Sequence, residues 1–121
     1  MKALVVDDSK VVRSVISSLL ESFSIAYEQA ENGLIALEKV RKSKFDFILL
    51  DWNMPELDGI GFLQKSKAEN LIADTKIILC TTENEFEKIS LALESGASEY
   101  IMKPFNKDIL EDKLKILGII G

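Results

Sequence analysis

Short apolar runs alternate with longer amphipathic segments along the chain. Three runs rich in aliphatic residues predict strands at 3–6, 47–50 and 77–80, and two weaker runs predict strands at 25–29 and 99–102. In the segments between them, apolar residues recur three or four positions apart, which is typical of helices with one buried face. The pattern therefore predicts five strands that alternate with five helices.

Residues at the predicted helix ends agree with this division. Ser9, Asn32 and Asn106 stand where the first, second and fifth helices should begin, and their side-chain oxygens can accept hydrogen bonds from exposed backbone N–H groups. Gly96 stands where the fourth helix should end. The dipeptide at 58–59, Asp-Gly, is interpreted as a turn.

The strands read as continuous apolar runs rather than as alternating apolar and polar residues. Such runs are typical of a parallel sheet that helices cover on both faces. We therefore predict an α/β fold, a flavodoxin-like doubly wound sheet with strand order 2-1-3-4-5 and right-handed crossovers. Ligands of such sheets bind beyond the carboxyl ends of the strands, near the point where the winding reverses.

Composition limits the class of protein. With 121 residues and 47% hydrophobic residues, the chain should form one domain, 1–121. Its formal charge of −5 argues against direct binding of nucleic acid or an anionic membrane. Cys80 is the single cysteine and histidine is absent, so neither an internal disulfide nor a Cys/His zinc site can form. No apolar run is long enough for secretion or membrane insertion, and we expect a cytoplasmic protein.

Polar residues follow four of the predicted strands at one edge of the sheet. Asp7 and Asp8 follow the first strand, Asp51 the third, Thr81 the fourth and Lys103 the fifth. Three carboxylates brought together repel one another unless a cation offsets their charge. Oxygen ligands of this kind suit Mg²⁺, which proteins usually hold with one or two carboxylates and a phosphate. The sequence therefore predicts a magnesium and phosphoryl site.

Each of these residues has an ordinary structural explanation when taken alone. Capping the first helix can be the whole role of the acids at 7 and 8, and the lysine before Pro104 can be no more than the end of a strand. Thr81 can be a β-branched residue at the end of a strand. These explanations do not account for the joint occurrence of acids, hydroxyl and lysine at one edge, which favours the phosphoryl site.

The same residues carry a family resemblance. The pair Asp7-Asp8, the stretch DWNMPELDG around Asp51, Thr81 and the segment GASEYIMKPF resemble the receiver domain of bacterial response regulators across essentially the whole chain. Within that family the chain is most similar to the stand-alone chemotaxis regulators of the CheY type; the supporting residues are Trp52, Asn53, Glu83 and Tyr100. Thr82 stands at a position where these chemotaxis regulators usually have alanine. A receiver domain of a phosphorelay or of a longer transcriptional regulator is the alternative.

The resemblance implies a phosphorylation-operated signalling switch of a two-component system. Asp51 would accept a phosphoryl group from the phosphohistidine of a sensor histidine kinase. Mg²⁺ would be held by Asp8, Asp51 and the backbone carbonyl of Asn53, with Asp7 acting directly or through water. The protein would then be no metabolic enzyme, and only weak self-catalysed transfer and autodephosphorylation are expected.

Further roles follow from the same resemblance. Thr81 would hydrogen-bond the phosphoryl group, Lys103 would pair with it, and the Lys103-Pro104 bond would be cis. Asn53 and Glu83 would tune dephosphorylation.

The output surface is expected at the face of the fourth helix, fifth strand and fifth helix. Thr81 and Tyr100 would couple the site to this face, which would include Glu85, Lys88, Ser90, Glu99, Tyr100 and Lys113. A downstream target protein would bind there, the flagellar motor switch being one candidate, and a phosphatase is a further candidate partner.

Three other classes of protein share parts of this pattern. An aspartate-nucleophile phosphatase usually has its nucleophile after the first strand, in a spaced Asp-x-Asp arrangement that this chain lacks. A receiver-like scaffold that is never phosphorylated would be expected to lose an acid, the hydroxyl or the lysine, and all are present. A flavin carrier would need a loop rich in Ser, Thr and Gly after the first strand, and that loop is absent.

Overall fold

The fold consists of five strands and five helices in strict alternation. The structure is a computed structural model that describes residues 1–52, 54, 56–81 and 86–121, without the side chains of residues 86 and 88. The elements are β1 (Lys2–Val6), α1 (Lys10–Ser22), β2 (Ala26–Ala30), α2 (Gly33–Lys42), β3 (Phe47–Asp51), α3 (Gly59–Ala68), β4 (Lys76–Thr81), α4 (Phe86–Glu94), β5 (Glu99–Met102) and α5 (Lys107–Ile116). In the described ranges, no helix has the length and apolar character needed to cross a membrane.

The strands form one parallel sheet in the predicted order, β2-β1-β3-β4-β5. Two boundaries differ from the prediction in a way that affects the site. Asp51 and Thr81 are the last residues of β3 and β4 rather than the first residues after them, and Asp51 is in register with Cys80. Backbone pairing to the neighbouring strands therefore fixes both residues. The strand β2 lies one residue later than predicted, since Ile25 is buried but precedes the strand.

Side chains of the sheet alternate between two apolar cores. Leu4, Ile48 and Leu79 belong to the core on one face, where α2, α3 and α4 pack. Val5 and Leu49 belong to the core on the other face, beneath α1 and α5. Because both faces are covered, all five positions of β3 are buried, which is why this strand reads as an unbroken apolar run.

The helices bury narrower stripes than the apolar spacing predicts. On α1, Ile16 and Leu20 are buried, but Val11 is 73% exposed and Val15 is 53% exposed. On α4, Ala92 is fully buried, whereas Leu93 is 43% exposed. A small residue lets a helix approach the sheet closely, and hydrophobicity alone does not distinguish it from a surface alanine.

The predicted caps at Ser9, Asn32 and Asn106 are confirmed. Each side chain accepts a hydrogen bond from the backbone N–H three residues later. The interpretation of residues 58–59 as a simple turn was wrong, because Asp58 caps α3 by accepting from the N–H of Gly61. Gly96 follows the end of α4 with a φ of +118°, as expected for a glycine that terminates a helix.

The start of α2 packs directly on the segment that leads from β3 to α3. The N–H of Gly33 donates to the carbonyl oxygen of Leu57 at 3.0 Å. A Cβ atom at position 33 would overlap that same carbonyl oxygen. The absence of a side chain at Gly33 therefore allows the close approach, which helps to hold the segment that follows Asp51.

This contact yields a stability prediction. Gly33→Ala should lower the free energy of unfolding by roughly 1–3 kcal/mol, the usual cost of overpacking. Helix propensity alone would predict the opposite sign, since alanine is favoured over glycine in helices by about 1 kcal/mol. The measurement is denaturant unfolding of both forms.

Gly61→Ala is the matched control within α3. Its added Cβ would meet Cδ1 of Leu57, an atom at the end of a side chain that can rotate away. We expect a clearly smaller loss for this variant. Equal losses at the two positions would contradict the role assigned to the backbone contact.

Candidate functional site: an acidic cluster with one lysine

Three carboxylates meet at the carboxyl edge of β1 and β3. One oxygen from each of Asp7, Asp8 and Asp51 lies within 4.8 Å of the others. Asp7 is 2% exposed and Asp51 is 7% exposed, whereas Asp8 lies on the surface. Because β1 and β3 are neighbours in the sheet, the fold brings together acids that stand more than forty residues apart in the sequence.

A single lysine from the loop after β5 reaches two of these acids. Lys103 Nζ lies 2.9 Å from Asp51 Oδ1 and 3.2 Å from Asp7 Oδ2. Its backbone N–H donates to the carbonyl oxygen of Thr81 at 2.6 Å. The peptide bond to Pro104 is cis, as the resemblance implied. The lysine is thus held against β4 while its ammonium bridges the acids of β1 and β3.

The three acids differ in the partners they already have. Asp7 accepts the Ser9 N–H on Oδ1 at 2.9 Å and the Lys103 ammonium on Oδ2, so both of its oxygens are occupied. Asp8 has no hydrogen bond or ion pair to any residue in the described part of the chain. Asp8 is therefore the carboxylate most available to a cation, since each oxygen of Asp7 already has a partner. This set of oxygen donors fits a hard divalent cation such as Mg²⁺.

The charges of the cluster are unbalanced. Burial raises the pKa of Asp51, and the hydrogen bond from Lys103 lowers it. The negative charge of Asp7 and, to a smaller extent, that of Asp8 raise the pKa again, so that the net shift is upward. For Lys103, burial acts to lower the pKa, yet the bond and charge of Asp51, with those of Asp7, overcome it and raise the pKa.

The raised pKa of Lys103 indicates that its ion pair with Asp51 is favourable, whereas the raised pKa of Asp51 indicates that the charged carboxylate is disfavoured. Lys103 gains from two carboxylates at once, whereas Asp51 has one ammonium beside it and two like charges nearby. We therefore conclude that the charged lysine is favoured, and that the charged Asp51 costs free energy until a further cation arrives.

Thr81 brings a hydroxyl to the same edge. Its side chain is 1% exposed, and its Oγ1 has no hydrogen-bond partner among the described residues. A buried hydroxyl without a partner costs free energy. An incoming group with acceptor oxygens would supply the missing partner, which fits a phosphoryl group on Asp51.

Of the two residues predicted to carry the output signal, Thr81 ends β4 and Tyr100 lies on β5, on the far side of β4 from the acids. Strand alternation places Thr81 on the same face as Leu79, and Leu79 is in register with Tyr100 on β5. Tyr100 packs half-buried against the core beneath α4. Lys113 Nζ lies 4.7 Å from the centre of the Tyr100 ring and 3.3 Å from Glu99 Oε1. Thr81, Leu79 and Tyr100 therefore lie on one face of the sheet, and Lys113 and Glu99 lie beside the Tyr100 ring at its edge.

Several predicted residues lie outside the described part of the chain. These are Asn53, Glu83, Thr82, Glu85 and the side chain of Lys88. Cys80 is buried beneath the site, and burial strongly raises the pKa of its thiol, which fits the absence of any role in the predicted chemistry.

Sequence reasoning missed Arg13 and Gln29, which lie beside the acids. Arg13 Nη1 donates to the carbonyl oxygen of Asp7 at 2.6 Å, and its Nε donates to Gln29 Oε1 at 3.2 Å. Both residues look like ordinary surface positions in the sequence. Arg13 lies on α1 and Gln29 on β2, and the two side chains meet where α1 packs against β2.

Comparison with known proteins agrees with this geometry. The family model for the response regulator receiver domain matches residues 3–115. The chain is 38% identical to chemotaxis protein CheY1 of Helicobacter pylori, over 97% of this chain and 96% of that protein. It is 36% identical to chemotaxis protein CheY-3 of Vibrio cholerae, over 94% of this chain and 88% of that protein.

Solved structures show the same likeness in three dimensions. The chemotaxis protein CheY4 of Vibrio cholerae superposes with a TM-score of 0.88 at 35% identity, over 95% of this chain and 96% of that one. The receiver domain of the Francisella response regulator 1452 gives 0.85 at 34% identity, over 96% and 94%. The strand order 2-1-3-4-5 and the five helices are therefore those of the CheY fold. The chain belongs to the family of response regulator receiver domains, which are phosphorylation-operated switches of two-component signalling rather than metabolic enzymes.

Proposed function

We propose that the chain is a chemotaxis-like response regulator that is phosphorylated on Asp51 by a sensor histidine kinase. One observation carries the proposal: Lys103 bridges two acids at a strand edge where an unpartnered Thr81 hydroxyl is also buried. An ammonium, a hydroxyl and a carboxylate nucleophile in that arrangement can bind the transferred phosphoryl group and its acceptor together.

The transfer itself needs little from the protein beyond positioning. A carboxylate oxygen of Asp51 forms the new O–P bond as the N–P bond of the phosphohistidine breaks, and the histidine ring leaves with the electron pair of that bond. Lys103 and Thr81 then donate to the phosphoryl oxygens. The chain itself contains no histidine, so the donor is another protein or a small phosphodonor.

Magnesium fits the proposed site through Asp8 and Asp51, with Asp7 acting directly or through water. The backbone carbonyl of Asn53 remains a proposed further ligand, outside the described residues. When bound, Mg²⁺ supplies positive charge that offsets the negative charge on the transferring oxygens. The unpaired Asp8 then acquires its partner.

Weak self-catalysis follows from the same geometry. Asp51 lies at the rim of the sheet, beside the exposed Asp8, so water can approach the acyl phosphate. We therefore propose autodephosphorylation, tuned by Asn53 and Glu83, whose positions are not described.

The relatives support the chemotaxis assignment. Three of the four proteins compared are chemotaxis proteins, of whose lengths the chain covers 96%, 88% and 96%. We propose a cytoplasmic regulator of one domain, 1–121, with a downstream target at the α4-β5-α5 face; the flagellar motor switch is one candidate target, and a phosphatase is a candidate regulator. A receiver of a phosphorelay or of a longer transcriptional regulator would use the same site.

Phosphorylation of Asp51 is tested by intact-mass analysis after treatment with acetyl phosphate and Mg²⁺. Wild type should gain the mass of one phosphoryl group, and Asp51→Asn should gain none, because an amide is a poor nucleophile. Asp74→Asn, on an exposed residue at the opposite edge of the sheet, is the matched control and should be phosphorylated normally. An adduct of equal yield on Asp51→Asn would show that the acceptor is misassigned.

The output route is proposed to run from Thr81 through Tyr100 to the α4-β5-α5 face. Phosphate that binds one arrangement of these residues more tightly shifts the protein toward that arrangement, and a partner with the same preference is bound more tightly in return. Lys113 and Glu99 flank the Tyr100 ring and so help to define the surface that the partner meets.

Amide NMR with beryllium fluoride, which mimics the phosphoryl group on Asp51, tests this route. Wild type should show shifts at the site, at Tyr100 and along α4. Thr81→Ala should keep the shifts at the site and lose most of those at Tyr100, because the hydroxyl that responds to the mimic is gone. Thr75→Ala, which removes a hydroxyl bound to the Phe45 carbonyl at the other end of β4, should behave like wild type. Shifts confined to the site in wild type would refute the route.

A further inference from the structure

We propose that Arg13 is a positioning residue that sets the affinity of the site for Mg²⁺ without contacting metal or phosphate. This inference rests on the proposed function of the acidic cluster. The guanidinium of Arg13 donates to the carbonyl oxygen of Asp7 at 2.6 Å, so it holds the backbone of the loop that carries two of the three acids.

The loop between β1 and α1 is three residues long and is fixed almost entirely through Asp7 and Ser9. The N–H of Asp7 donates to the carbonyl oxygen of Ala30 at 3.1 Å. The N–H of Ser9 donates to Asp7 Oδ1 at 2.9 Å. Asp8, between them, has no hydrogen bond or ion pair with any residue that the structure describes. Its position therefore depends on the peptide units on either side of it.

The carbonyl held by Arg13 belongs to the peptide unit that joins Asp7 to Asp8. A peptide unit is planar, so fixing the direction of its carbonyl also fixes the direction in which the Asp8 Cα leaves the strand. Arg13 thereby orients a candidate metal ligand through one bond to the backbone. A freely turning peptide would have to be ordered when the metal binds, at a cost in affinity.

Arg13 is itself braced by β2 and α1. Its Nε donates to Gln29 Oε1 at 3.2 Å, and Gln29 Nε2 donates to Ser17 Oγ at 3.0 Å. Ser17 is buried on α1, one turn after Arg13. The guanidinium can bind Gln29 and the Asp7 carbonyl at the same time because its N–H groups form a rigid planar fork, which a lysine ammonium does not offer.

Charge and geometry make opposite predictions for Arg13. A positive charge near a cation site disfavours the cation, so if charge alone mattered, removal of the guanidinium would strengthen Mg²⁺ binding. If positioning dominates, the same removal weakens binding. The sign of the change in affinity therefore separates the two effects.

The test is a Mg²⁺ titration of the whole chain, followed by the fluorescence of Trp52, the only tryptophan, and by calorimetry. Arg13→Gln should weaken binding about tenfold, the size of effect seen when groups that orient metal ligands are removed. Arg13→Lys should not restore wild-type affinity. Gln29→Met keeps the net charge and the Arg13 bond to Asp7 but removes the brace, and should weaken binding by a smaller factor.

Two further variants calibrate the titration. Arg41→Gln removes another arginine, one that pairs with Glu69 away from the site, and should leave the affinity unchanged. Asp8→Ala should abolish most of the response, because a charged ligand is lost. A wild type without a Mg²⁺ response, or an unchanged response in Asp8→Ala, would refute the proposed metal site rather than the role of Arg13.

If wild type responds to Mg²⁺ and Asp8→Ala loses most of that response, the affinity of Arg13→Gln decides the inference. Mg²⁺ binding by Arg13→Gln that equals or exceeds that of wild type would overturn the inference. Loss of affinity with full phosphorylation by acetyl phosphate at saturating Mg²⁺ would support it, since a positioning residue is dispensable once the metal is bound. If Arg13→Gln does not fold, Gln29→Met decides, and wild-type affinity in that variant would overturn the inference.

Discussion

The site depends on one ammonium group that lies between two buried carboxylates. Lys103 neutralises part of the charge of Asp7 and Asp51, while Asp8 is left without a partner among the described residues. The three carboxylates carry a formal charge of −3 and the ammonium carries +1, so these four side chains leave a formal charge of −2 at this edge of the sheet. Such a cluster is held together only because the rest of the fold is rigid enough to oppose its repulsion.

The rigidity comes from the layered core beneath the site. Every residue of β3 is buried; β4 pairs with it as far as Asp51, and β1 pairs with it as far as Leu50. Asp51 is therefore attached to a strand that is buried along its whole length in the middle of the sheet. Asp8 and Lys103, by contrast, stand in loops that begin where β1 and β5 end. A carboxylate on a buried strand thus lies close to a carboxylate and an ammonium that come from loops.

The pKa shifts of Asp51 and Lys103 determine how this charge imbalance changes the stability of the fold with pH. The pKa of Asp51 is higher in the folded protein than in the unfolded chain, so protonated Asp51 stabilises the fold. This contribution is complete at a pH below the pKa of the unfolded chain and is lost as the pH rises through the pKa of the folded protein. The raised pKa of Lys103 gives a contribution that is present throughout the neutral range and is lost only in strong alkali. Near neutrality the charged Lys103 thus stabilises the fold, and the ionised Asp51 opposes it.

Much of the fold and of the site could be predicted from the sequence. The order of strands and the convergence of Asp7, Asp8, Asp51, Thr81 and Lys103 follow from unbroken apolar runs and from the polar residues at their ends. The width of the buried helix stripes could not be predicted, because Val11 and Ala92 differ in exposure for reasons of spacing between layers. The bond from Arg13 to the Asp7 carbonyl could not be predicted either, since it depends on a backbone group and on the local conformation of the segment between β1 and α1.

The measurement that tests the charge imbalance most directly is thermal unfolding of wild type and Asp51→Asn, each in chelator and in excess Mg²⁺. In chelator we expect Asp51→Asn to unfold at the higher temperature, by roughly 4 °C for each kcal/mol of relieved repulsion and desolvation. Mg²⁺ should stabilise wild type more than the variant. If Asp51→Asn were instead the less stable protein in chelator, the ion pair with Lys103 would be a net stabiliser and the imbalance described here would be wrong.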